Sequence, residues 1–291
     1  MKKVNKILIV ILFIILESGF LNAQNKKIEK PFFFIQMTDP QFGMFENNKG
    51  FAKETALFEK AIVEINRLKP DFVVITGDLV NNWKDASQIA EFKRLTAMIN
   101  SKIPVYYTPG NHDVGNDPTK QSQDAYITNF KYDKFSFKHK GSLFIGFNSS
   151  LIKANLPEPE KKQYQWLKKK LGKSKKAVHV VLFCHYPFFI KSFEEAETYS
   201  NISIEKRKKY FELFKKNNVK VVFSGHLHNN AIAKYNSVKM VTTSAVGKPL
   251  GNAPSGFRIV KVYNDNIESD YYGLDDVPEK IIFNNCYPVK K

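Results

Sequence analysis

Cysteine and arginine are the scarce residues of this 291-residue chain. The two cysteines, Cys184 and Cys286, have no spacing that suggests a zinc knuckle. Cys184 closes the apolar run from Val180 to Phe183, which predicts a buried free thiol. A disulfide to Cys286 remains open for an exported chain. The arginines are only Arg67, Arg94, Arg207 and Arg258. Planar, bidentate grips on guanine and backbone phosphate favour arginine, so specific nucleic-acid binding is not expected despite a net charge of +17. Lysine carries that charge. Runs such as Lys168 to Lys170 and Lys208-Lys209 fall on expected helices and read as solvated faces. The positive field would still draw in anionic substrates or envelope polymers.

A membrane-length hydrophobic run is also missing. The apolar stretch from Ile7 to Leu16 is ten residues, well short of the roughly 20 needed to span a bilayer. Lys2, Lys3 and Lys6 lie around its start, and Leu21-Asn22-Ala23 follows it. That layout predicts a secretory signal over residues 1–23, cut before Gln24. No cysteine lies near the cut, so a lipid-anchored precursor is not expected. The expected product is exported, periplasmic or extracellular, with no stable membrane anchor. No repeat, low-complexity tract or linker divides the rest. We expect one domain over residues 30–275 and a C-terminal tail over 276–291.

What is present is a strand–helix alternation. Strands are expected at Phe32 to Met37, Asp71 to Thr76 and Val105 to Tyr107. Between them, Leu57, Ala61, Ile65 and Leu68 mark one amphipathic helix, and Ile89, Phe92, Leu95 and Ile99 mark another. This order implies parallel pairing through right-handed crossovers. Residues from Asp117 to Tyr132 read as polar and irregular. A hairpin around Lys140-Gly141, a helix from Glu160 to Leu171 and a strand from Val178 to Phe183 follow. A loop from Pro187 to Ser203, a basic helix from Ile204 to Lys216 and a strand from Val219 to Phe223 come next, and short strands run from Ala231 to Tyr272. The expected architecture is two stacked mixed sheets flanked by helices.

Metal-competent residues recur where strands end: Asp39-Pro40-Gln41, Gly77-Asp78, Gly110-Asn111-His112-Asp113, His185, and Gly225-His226-Leu227-His228. Ligands in such sheets collect at the carboxyl ends of strands, and four of the six histidines sit in these loops. His139 and His179 lie inside strands and read as structural. A carboxylate can bridge two cations, and Asp78 is the best candidate. Asp39 and His228 would complete one shell; Asn111, His185 and His226 would complete the other. Mixed oxygen and nitrogen donors suit Mn²⁺, Fe²⁺ or Zn²⁺ better than Ca²⁺. Two such ions side by side are what hydrolysis of a phosphate ester needs. His112 is placed to protonate the leaving oxygen or bind the phosphoryl group, and Asp113 to orient its ring. Tyr186, Phe188 and Phe189 could wall a leaving group or pack beneath the sheet rim.

With these motifs in this order, the chain resembles the calcineurin-like metallophosphoesterases over about residues 32 to 230. Gln165-Trp166-Leu167 is similar to a helix that the family often carries. The resemblance implies a four-layer α/β/β/α sandwich, metal roles on the residues assigned above, and a small phosphate-ester substrate. The first motif departs from the family's usual Asp-x-His. Gln41 takes the third position, and its amide oxygen is a weaker donor than imidazole. The Asp-Pro-Gln form is similar to a serine/threonine-phosphatase-like branch, and other family branches with glutamine here act on nucleotide-type substrates. Asp78 is followed by Leu79-Val80 rather than a nearby tyrosine, so the tyrosine–iron ligation of purple acid phosphatases is not expected.

Overall fold

Both faces of the first strand are apolar, and this fixes the layering. The computed structural model describes residues 27–28 and 30–284; the expected signal segment and Cys286 lie outside the described residues. In β1 (Phe32–Met37), Phe33, Ile35 and Met37 enter one core, and Phe32 and Phe34 enter another. β2 (Val73–Thr76) divides the same way, with Val73 and Ile75 on one side and Val74 on the other. A strand buried on both faces needs a layer on each side.

The first sheet has the order β11-β10-β1-β2-β3, with β3 at Val105–Thr108, β10 at Gly256–Val262 and β11 at Ile267–Gly273. Its outer face is covered by α1 (Ala52–Leu68) and α2 (Ala86–Thr96), which contribute Phe58, Ile62, Ile65, Phe92 and Leu95. The second sheet has the order β4-β5-β6-β7-β9-β8. Its strands are β4 (Phe135–His139), β5 (Ser142–Gly146), β6 (Val180–Phe183), β7 (Val219–Ser224), β8 (Ala231–Tyr235) and β9 (Val238–Thr242). Helices α6 (Pro157–Leu171) and α7 (Ile204–Lys216) cover its outer face through Leu167, Leu171, Tyr210 and Phe214. Phe34, Phe72, Phe144, Phe183 and Phe223 fill the space between the sheets. Phe34 and Phe72 stack at 4.7 Å, and most other pairs among these rings meet edge to face. The expected four-layer sandwich of two mixed sheets is therefore the observed one, in a single domain.

Pairing within β1-β2-β3 and within β5-β6-β7-β9 is parallel. The carboxyl ends of these strands come to a common rim, where the metal-competent loops lie.

One secondary-structure expectation fails. Residues 117–132 are not irregular throughout, because Lys120–Phe130 forms helix α4 after the short α3 (Asn111–Val114). Thr119 and Ser122 cap it reciprocally, and Tyr126 and Phe130 bury one side. Two aromatics four residues apart are a sparse apolar signal, and the cap outweighs it. The remaining short helix, α5 (Ser150–Lys153), follows β5. Residues 277–283 pack on the domain through Val277, Ile281 and Phe283, and Arg67 donates to the carbonyls of Pro278 and Glu279. Cys184 is a buried free thiol. His139 contacts Asp71 Oδ1 at 2.8 Å and His179 contacts the Tyr263 carbonyl at 2.7 Å, so both serve the fold.

Candidate metal centre

The loops after β1, β2, β6 and β7 bring their polar side chains into two groups. Asp78, His185 and His226 form one; Asp39, Asp78 and His228 form the other. Within each group the candidate ligand atoms lie within 4.8 Å of one another, and every residue is buried. Asp78 belongs to both groups. Asn111 joins the first group, its Oδ1 3.1 Å from His185 Nε2.

Backbone conformation shows what assembling the site costs. Asp39, Gln41, Asp78, His226 and His228 all have positive φ, between 39° and 73°. Non-glycine residues adopt this region rarely, and it is a usual mark of functional strain. Glycines supply the rest. Gly77 has φ +88°, and a Cβ there would stand 2.6 Å from His185 Nδ1. At Gly225 a Cβ would lie 1.8 Å from Thr38 Oγ1 and 2.6 Å from Asp39 Oδ2. The chain must pass the ligands with no side chain in the way.

Two of the three candidate ligand histidines, His185 and His228, are oriented by their second nitrogen. His185 Nδ1 faces the Thr76 carbonyl at 2.8 Å, leaving Nε2 3.1 Å from Asp78 Oδ2. His228 Nδ1 faces the Lys248 carbonyl at 2.5 Å, leaving Nε2 3.3 Å from Asp39 Oδ1. A ring that donates Nδ1–H to a carbonyl presents an Nε2 lone pair, the form a cation needs. His226 Nε2, Asp39 Oδ1 and Gln41 Oε1 are buried with no hydrogen-bond partner. Orphaned buried donors and acceptors are expensive, and all three are atoms of a kind that can ligate a metal. This donor set fits divalent cations.

The electrostatics agree. Burial opposes a charge on His185, and the Asp78 carboxylate overcomes it, raising the group to about 9. Burial likewise opposes ionisation of Asp78, but the charges of His185 and His112 hold it below the usual carboxylate range. His226, buried and beside His185, is pushed down to about 3. The centre thus places a carboxylate favoured in its ionised form beside imidazole.

His112 is part-buried at the rim, and its Nδ1 faces the Asn81 carbonyl at 2.9 Å. Asp113 does not orient that ring, contrary to expectation. Its carboxylate accepts from the amides of Leu79 (2.9 Å), Val80 (3.1 Å) and Gly110 (2.8 Å). It ties the loop after β2 to the loop after β3 and is structural. Gln41 Nε2 donates to Asn81 Oδ1 at 2.9 Å, leaving Oε1 as its free end. Phe188 and Phe189 are buried among the α7 residues, whereas the Tyr186 ring lies 4.1 Å from that of His226.

A family profile described as calcineurin-like phosphoesterase matches residues 34–230, a span that contains every one of these ligands. The chain belongs to this family. As a calcineurin-like phosphoesterase, it is a metal-dependent phosphoesterase. It is 36% identical over 284 residues to a human protein named serine/threonine-protein phosphatase CPPED1, covering 90% of each chain. The counterpart from Pongo abelii is 37% identical over 271 residues, covering 86% of each. Among solved structures, purple acid phosphatase PPD1 from yellow lupin shares the fold at TM-score 0.65 and 16% identity; 86% of this chain matches 52% of that one. A dimetal phosphatase from Danio rerio gives 0.60 at 14% identity, with 84% and 96% covered.

Several calcineurin-like phosphoesterase site contacts gave no signal in the sequence. The carbonyls of Thr76, Asn81 and Lys248 act through backbone, which any residue supplies. Tyr199, whose hydroxyl lies 3.1 Å from Asn111 Nδ2, comes from a loop with no motif.

Proposed function

We propose that this chain is an exported phosphomonoesterase that works with two divalent ions, and that Asp78 is shared between them. The observation that carries the reading is the pair of buried ligand groups meeting at Asp78. Asp39, His228 and Gln41 would hold one ion; Asn111, His185 and His226 would hold the other. Mn²⁺, Fe²⁺ and Zn²⁺ suit these donors. When bound, such ions lower the pKa of water and polarise a phosphoryl oxygen.

The chain's own part is to orient and to move one proton. His112 donates its Nδ1–H in a hydrogen bond to the Asn81 carbonyl, which orients the ring. Its Nε2–H would then protonate the leaving oxygen as the ester bond breaks. The named activity of the CPPED1 relatives, serine/threonine-protein phosphatase, supports a monoester with an alkoxide leaving group. Such a group needs the proton that His112 supplies. A small phosphate ester is the proposed substrate, with no specific nucleic acid as partner. Export rests on the composition of residues 1–23; no helix among the described residues is long and apolar enough to cross a membrane.

The test is to strip the chain of metal, reload it with Mn²⁺, and follow p-nitrophenyl phosphate beside bis-p-nitrophenyl phosphate. Turnover should need metal and favour the monoester. A preference for the diester would overturn the monoesterase reading. Undiminished turnover in chelator would overturn the metal-dependent one.

A further inference from the structure

Residues 190–203 form no helix or strand, yet four polar side chains fasten them. Glu195 accepts from the amides of Ile190 and Lys191, each at 2.8 Å, and Ser192 at 3.1 Å, and from Asn201 Nδ2 at 2.7 Å. Asn201 is buried and accepts from the Thr198 amide at 2.7 Å. Arg207, fully buried, donates to the carbonyls of Phe188 and Ile202 at 2.7 Å and of Phe193 and Glu195 at 2.6 Å. Lys153 donates to Glu197 and to the carbonyls of Thr198 and Asn201.

Fixing a loop backbone carries an entropic cost at every residue, and burying an arginine is rare. Contacts this dense define where one side chain stands. Tyr199 sits between the fixed points Thr198 and Asn201 and is 57% exposed.

Its hydroxyl meets a metal-ligand candidate. Asn111 Nδ2 donates to the Tyr199 hydroxyl at 3.1 Å and to Asn116 Oδ1 at 3.0 Å. Both amide hydrogens are thereby committed to one side, and Oδ1 is left toward His185 Nε2. The distinction matters because an asparagine can ligate only through oxygen; a flipped amide would present an NH₂ to the cation. The Tyr199 ring also lies 4.9 Å from that of His226.

We infer that Tyr199 is a positioning residue for the metal centre: by accepting one Asn111 hydrogen, it holds the amide with its oxygen toward the ion. This rests on the metal-dependent reading of the same site. The pinned loop links Arg207 and Glu195, which touch no ligand candidate, to the orientation of one that matters.

The test is Mn²⁺ affinity, measured by calorimetry on the metal-stripped chain and on Tyr199→Phe, Asn111→Asp and the double variant. Tyr199→Phe removes one oxygen at a half-exposed site, so the melting temperature of the stripped protein should not move. Its Mn²⁺ affinity should fall about 10–100-fold, the usual cost of losing an outer-shell partner. In the Asn111→Asp background the same change should have no effect, because a carboxylate offers oxygen either way round. Affinity within about twofold of the parent would overturn the inference, as would an equal loss in both backgrounds. A parent chain that binds no Mn²⁺ would overturn the reading of the site itself, and this inference with it.

Discussion

The carbonyl of Asn81 lies 2.9 Å from His112 Nδ1, and the Oδ1 of the same residue accepts from Gln41 Nε2 at 2.9 Å. One loop residue therefore sets both the proposed acid and the glutamine that replaces the family's usual histidine. Asn81 is itself held, since Gln88 Oε1 accepts from its amide at 3.1 Å and Asn48 Oδ1 from its side chain at 2.8 Å. The ring of the proposed acid is oriented by a backbone carbonyl, and Asp113 keeps the adjoining loops together instead.

That arrangement separates His112 from metal binding. His112→Ala should retain bound Mn²⁺ and lose about 10²–10⁴-fold in kcat on an alkyl phosphate. The loss on p-nitrophenyl phosphate should be much smaller, because p-nitrophenolate leaves without a proton. Metal analysis beside kcat on the two esters checks this. Equal losses on both would assign His112 to binding the phosphoryl group.

Asp78 is common to both ligand groups, so its charge should matter to all the bound metal. Asp78→Asn should lose most of it, whereas His228→Ala should spare what Asp78, His185 and His226 hold. Metal-to-protein ratios after dialysis distinguish the two. Equal loss in both variants would contradict the sharing.

A methyl group at Gly225 would stand 1.8 Å from Thr38 Oγ1. Gly225→Ala should displace Thr38 and the Asp39 carboxylate to which it donates at 2.7 Å. Stability should drop by about 1–3 kcal/mol, the usual cost of overpacking, with weakened Mn²⁺ binding. Thermal unfolding of the metal-free protein measures the first effect separately from the second.

Away from the site, Asp71 receives His139 and Lys140. Burial opposes its ionisation, but these partners prevail and leave the carboxyl below its ordinary value. A carboxyl lowered in the folded state stabilises above its unfolded value of about 3.9 and stops doing so as pH falls through the folded value. Asp71→Asn should therefore cost about 0.5–1 kcal/mol at pH 7 and distinctly less at pH 3. Urea unfolding at the two pH values gives the difference.

Burial pushes the Cys184 thiol far up, leaving almost no thiolate at neutral pH. In a Cys286→Ser background, Ellman's reagent at pH 8 should fail to label the native protein. It should label one thiol per chain in denaturant. Prompt native labelling would mean that the strand end opens.

Most of the fold could be read from periodicity. Phe32 to Met37 is apolar on both faces and so had to lie between layers. The basic helix expected from Ile204 to Lys216 is α7, with the same bounds. α4 was missed because its cap outweighs its sparse apolar pattern.

The sequence by itself determined which residues could hold metal and that they follow strands. Ligand chemistry belongs to the side chain, and strand ends are visible in the apolar runs. Only the tertiary structure decided how those residues are aimed. The carbonyls of Thr76, Asn81 and Lys248 choose the histidine tautomers, and backbone carries no residue-specific signal. Asp113 and His112 are neighbours in the chain, yet the carboxylate turns to three amides and the ring to Asn81. Tyr199 lies 88 residues from Asn111. Their contact exists because a loop pinned by Arg207 and Glu195 folds back over the rim, a long-range event that no local pattern encodes.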